Sequence, residues 1–165
     1  MYILDYKKQV QRINEMIPLR KNDKTFEVFY HDPASGELWK SFFPHGKKSI
    51  NSVKILRPEP LPTDLRHQLE LCLNSGNPAD AAGLGIEYSL HPEKWNEILI
   101  ILNTNRKIYL RSGFFEFFNY LGVKNSHKVL DTLSENLKNS QLSRKELVLL
   151  KKRASMLWLK KFFWI

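Results

Sequence analysis

Apolar positions recur with a helical period over most of this chain and with a strand period in one short region near its start. Ile3, Tyr6, Val10, Ile13 and Ile17 keep the three-to-four spacing of an amphipathic helix, with Lys7, Lys8, Gln11 and Arg12 placed elsewhere around it. Pro18 or the polar run Arg20 to Lys24 should end that helix. Thr25 to His31, TFEVFYH, and Leu38 to Phe43 then read as two strands of a hairpin. The connecting DPASGE is turn chemistry: Asp32 and Ser35 can bond local backbone, Pro33 presets a turn dihedral, and Gly36 tolerates a positive φ. After Pro44-His45-Gly46 and the basic Lys47 and Lys48, a third strand is expected at Val53 to Leu56, within SVKILRP.

Three helices with legible boundaries follow. Thr63 should cap the first, Asp64 suits its positive end, and Leu65, Leu69, Cys72 and Leu73 fall on one face. Asn74-Ser75-Gly76 stops it, and Asn77-Pro78 starts the second with a capping side chain and a proline at the first helical position. Gly83 and Gly85 weaken this second helix, so either another backbone lies close against it or it breaks near Gly85. His91-Pro92-Glu93 opens the third, with Leu90 and Trp95 at hydrophobic-staple positions and Trp95, Ile98, Leu99 and Leu102 as its buried stripe. From Phe114 to Leu121 apolar side chains surround nearly every direction, which fits a core helix better than a displayed aromatic surface. Gly122 closes it, Val129, Leu130, Leu133 and Leu137 mark another, and Ser143 with Glu146 forms a capping box for the last, with Leu142 and Leu147 in staple positions. The closing Phe162-Phe163-Trp164-Ile165 has to dock on the body or on a partner. The expected fold is α+β and predominantly helical: a small three-stranded antiparallel sheet near the N-terminus packed on a bundle of about six helices. A single domain over 1–165 is expected, with 1–60 holding the first helix, hairpin and third strand, and 61–165 the helical body.

Totals sharpen the picture in two ways. A length of 165 residues with 42% apolar content suits one good core better than two. The start has acidic Asp5 and no continuous apolar run, and no stretch reaches bilayer length, so a cytoplasmic protein without membrane insertion is the default expectation. The single cysteine, Cys72, cannot form an internal disulfide and reads as a small core residue. Net charge is +9 and unevenly placed: residues 1–105 hold 13 Lys and Arg against 13 Asp and Glu, residues 106–165 hold 13 against 4. The whole excess lies in the C-terminal third, which points to an anionic partner: nucleic acid, a membrane surface or an acidic protein.

Catalytic and metal-binding patterns are missing from the sequence. His31, His45, His67, His91 and His127 are scattered, and HExxH, paired CxxC and an Asp-rich calcium loop do not occur, so neither metal nor cofactor is expected. Gly83-Leu84-Gly85 lacks the GK[ST] ending of a phosphate loop and the third glycine of a dinucleotide fingerprint. There is no GxSxG elbow. Folding could assemble a site from distant residues, but the pattern leans against an enzyme. The basic third supports two readings. Lys151, Lys152, Arg153, Lys160 and Lys161 on the last helix could supply charge to a protein contact. Alternatively, LGVKNSHKVLDTLSENLKNSQ has a helix-turn-helix cadence, with Gly122 in the turn, Asn125 and Ser126 opening a helix, and Lys124, His127 and Lys128 at a groove. The plain solvated outside of a helical pair explains the same lysines, and Lys outnumbers Arg here, which disfavours specific base reading.

The segments DPASGELWKSFFPHG, SVKILRPEPLP and LRHQLELCLNSGNPADAAGLGIEYSLHPEKWNEILIIL occur in an order that resembles immunity proteins of bacterial polymorphic-toxin and contact-dependent growth inhibition systems. The likeness lies in a tryptophan-bearing hairpin, a strand ending in Arg-Pro, and helices with an Asp-Ala-Ala-Gly, Leu, Glu-x-Trp cadence, over roughly residues 29 to 102. It implies a cytosolic, non-enzymatic protein that neutralises one cognate toxin domain by covering its active site or a neighbouring surface. Immunity proteins against nucleases are usually acidic, whereas this chain is basic, so the resemblance implies a toxin with an acidic contact face or a contact on the neutral N-terminal two-thirds.

Overall fold

The computed structural model describes residues 1–46, 53–123 and 143–163. The fold is α+β, with six α-helices and one four-stranded antiparallel sheet among the described residues. In chain order these are α1 (Tyr6–Asn14), β1 (Ile17–Asn22), β2 (Glu27–His31), β3 (Leu38–Phe42), β4 (Ile55–Glu59), α2 (Leu65–Leu73), α3 (Pro78–Ser89), α4 (Trp95–Thr104), α5 (Arg111–Leu121) and α6 (Arg144–Phe163). A short 3-10 turn, Pro92–Lys94, leads into α4. The chain forms two compact units, Met1–Gln68 and Leu69–Ile165.

In the first unit the sheet is a meander in the order β1-β2-β3-β4, one strand more than expected. The additional strand is β1, IPLRKN, where every residue is exposed and no alternation marks the run. It is an edge strand, the one setting that tolerates Pro18, and its register shifts between Pro18 and Arg20. Met16, Tyr30, Trp39 and Leu56 form one buried cluster of this unit, joined by Ile3, Ile13 and Val28. The apolar stripe expected on α1 is only partly the buried one. Tyr6 is 71% exposed and Val10 lies at the surface, while polar Gln9 is buried. Gln9 earns that place by donating through Nε2 to the carbonyls of Ile3 and Lys54, both at 2.7 Å. The hairpin turn forms as its residues require: Asp32 accepts from the Ala34 amide at 3.0 Å and the Ser35 hydroxyl at 2.7 Å, and Gly36 has φ +76°.

Helix α2 starts one residue later than the Thr63 cap implies, because Asp64 accepts from the first-turn amides of Arg66 and His67. Asn77 caps α3 by accepting from the Ala79 amide at 3.1 Å. The glycines of α3 do not break it. A methyl group on Gly85 would come within 2.7 Å of the Phe117 carbonyl, so the close backbone approach is the correct alternative. Gly113 on α5 meets the Leu73 backbone in the same way. Phe114, Phe117, Phe118 and Leu121 are buried, as a core helix requires, and Gly122 ends α5 at φ +74°. Trp95, Ile98, Leu99 and Leu102 are the buried stripe of α4. The helix expected around Val129 to Leu137 lies outside the described residues.

Candidate partner-binding surface

The 20-residue helix α6 carries most of the sequence-predicted charge. Its start is the expected capping box: Glu146 accepts from the Ser143 amide at 2.7 Å, and Ser143 Oγ accepts from the Glu146 amide at 3.3 Å. The Ser143 amide, followed by its hydroxyl, holds the Glu146 carboxyl below its ordinary pKa. Leu150, Ala154, Leu157 and Lys161 recur at the same helical angle and are all buried. That inward stripe packs α6 against α4.

The opposite side of α6 is not polar. Val148, Leu149, Met156, Leu159 and Phe163 are 48 to 62% exposed, and Lys152 sits among them. Exposed apolar side chains outnumber the lysines Lys145 and Lys152 on that outer face, so this helix carries apolar residues on two sides. Towards α5 it contributes an aromatic cluster in which Trp158 stacks on Phe162 at 5.3 Å and meets Phe115 at 5.3 Å with the rings tilted by 60°. Arg111 covers Phe162 at 5.2 Å and donates to its carbonyl at 3.2 Å. Phe162 thus contacts the body through one face while 43% exposed, Phe163 is 61% exposed, and Trp164 and Ile165 lie outside the described residues.

The five predicted contact residues divide by placement. Lys152 and Arg153 are exposed, and Lys151 and Lys160 are half-buried. Lys161 requires a correction: it points inward, with Nζ donating to the carbonyls of Arg106 and, at 2.7 Å, Tyr109, and lying 5.6 Å from the Phe114 ring. Burial, then the charges of Arg111 and Arg106, lowers its pKa. Its ammonium closes the α5 approach to α6 instead of facing a partner. Lys124, His127 and Lys128, the nucleic-acid alternative, lie outside the described residues.

Between α4 and α6 runs a groove of about 370 Å³. Leu99, Ile100, Met156 and Leu157 give it apolar walls, and Arg153 and Lys160 stand at its edge. Arg153 reaches across to α4, donating to Asn96 Oδ1 at 2.7 Å. The α4 side of this groove was not legible as a site, although an apolar Ile100 off the buried stripe was its available signal; the structure leaves it 56% exposed.

On the sheet, Lys40 pairs with Glu27 at 2.6 Å and Arg57 with Glu59 at 2.6 Å, while Arg20 lies over Phe29 at 4.3 Å. Among the described residues no three His, Cys, Asp or Glu side chains gather as metal ligands, and no helix is long and apolar enough to cross a membrane. Cys72 is buried in the second unit. No family model, curated protein or solved structure matches this chain.

Proposed function

We propose that this chain is an immunity-type binding protein, non-enzymatic and cytoplasmic, that neutralises a cognate bacterial toxin by stoichiometric protein–protein binding. The observation that carries the reading is the outer face of α6, where Val148, Leu149, Met156, Leu159 and Phe163 stay exposed beside Lys152 and next to Arg153. Apolar side chains in such a row favour a protein partner that removes them from water, and the surrounding cations favour one with an acidic rim. The surface is built on a capped, packed helix, so little ordering cost is incurred on binding.

The test is affinity capture by the tagged chain from lysate of its own cells, nuclease-treated and untreated, followed by expression of whatever protein is retained, alone and together with the chain. The reading expects one protein held in a stoichiometric complex, toxic alone and tolerated in the presence of the chain. Retention of nucleic acid alone, lost on nuclease treatment, would replace it with the nucleic-acid-binding reading. A captured protein with no toxicity would remove the immunity role and leave a binding protein of another kind.

A further inference from the structure

We infer that the α4–α6 groove receives an acidic segment of the protein partner, with one large apolar side chain seated between Ile100 and Met156 and its carboxylates on Arg153 and Lys160. This rests on the binding reading above and names what one part of the surface takes.

Size, polarity and charge agree on that occupant. A cavity of about 150 Å³ holds a benzene ring, so a groove of about 370 Å³ admits a Phe or Leu side chain with its adjoining backbone. Ile100 is 56% and Met156 50% exposed, apolar area that remains in water until something covers it. Met156 can reshape to the side chain it meets. Among the described residues no carboxylate lines the groove, while a guanidinium and an ammonium do. Arg153 is held in place by Asn96 and uses one of its five N–H donors there, which leaves donors for a carboxylate fork. A nucleic-acid backbone fits less well, because it needs cations repeated along a polar track and gains nothing from a half-apolar concavity.

The probe is a short fluorescein-labelled peptide of Glu and Ala with one central Phe, titrated by anisotropy against the full chain. Saturable binding is expected, weakened about tenfold or more by Ile100→Asp, by Arg153→Glu, and by replacing the peptide's Phe with Ser. Lys8→Glu, a charge reversal on exposed α1, should leave it unchanged. Ile100 and Arg153 are exposed, and Lys160→Glu gives a further variant if either substitution disturbs folding. Absence of saturable binding, equal binding by the groove variants, an equal loss in Lys8→Glu, or displacement of the peptide by a short DNA duplex would overturn the inference. The two readings fail separately: a toxin captured equally well by Ile100→Asp and Arg153→Glu removes the groove and keeps the immunity role. Peptide binding with a non-toxic captured partner does the reverse.

Discussion

The ammonium of Lys161 donates to the carbonyl of Tyr109 at 2.7 Å, tying the last helix to the segment that leads into α5. A second bond to the Arg106 carbonyl completes a buried cation held by backbone. Removing the charge while keeping the stem leaves both carbonyls without that partner. Lys161→Met should therefore cost about 1–3 kcal/mol, against about 0.5 kcal/mol or less for Lys160→Met. Urea unfolding of the two variants checks this, and equal midpoints would show that Lys161 does not hold the helix.

Gly113 and Gly85 make a second prediction. Each sits where an added methyl meets backbone, of Leu73 and of Phe117 respectively, and backbone cannot swing aside. Gly113→Ala and Gly85→Ala should each destabilise by about 1–3 kcal/mol through overpacking, the first more severely. Alanine normally raises helix stability over glycine. A rise in Tm for either variant would contradict the close approach.

Acid sensitivity of the first unit should centre on Asp32. The Ser35 hydroxyl, then the Ala34 amide and the Arg12 guanidinium, hold its pKa at about 2 against the opposing pull of burial. Its ordinary value is 3.8. A carboxyl depressed on folding contributes stability that is complete above its unfolded pKa and lost as pH falls through the folded one. The contribution should thus be full above about pH 4 and decline down to about pH 2. Asp32→Asn should be less stable at neutral pH and show a flatter decline over that window, read from denaturant midpoints at several pH values.

The charge on α6 should act mainly on encounter. Replacing Lys151, Lys152, Arg153 and Lys160 together with Ala should slow association with the partner and reduce the dependence of the on-rate on salt. Dissociation should change less, apart from the share that Arg153 contributes in the groove. Stopped-flow association at low and high ionic strength measures both. Unchanged salt dependence would remove these four cations from the contact.

Local rules written into neighbouring residues were enough for much of the architecture. Asn77-Pro78 started α3, Ser143 with Glu146 started α6, Gly122 ended α5, and DPASGE closed the hairpin, because caps and turns are satisfied within a few residues. The buried stripe of α4 was likewise legible from its period. The +9 charge and its confinement to the C-terminal third are properties of the sequence alone. What only the tertiary structure decided depends on partners distant in the chain. β1 exists because β2 offers it an edge to pair with, not because IPLRKN has a strand pattern. Gln9 is buried because two carbonyls from elsewhere receive it. Lys161 turned inward, away from Lys151, Lys152, Arg153 and Lys160, because its helical angle matches Leu150, Ala154 and Leu157 and because the Arg106 and Tyr109 carbonyls lie within its reach. The groove needed Ile100 from one helix and Met156 from another, a pairing that no periodicity within either helix records.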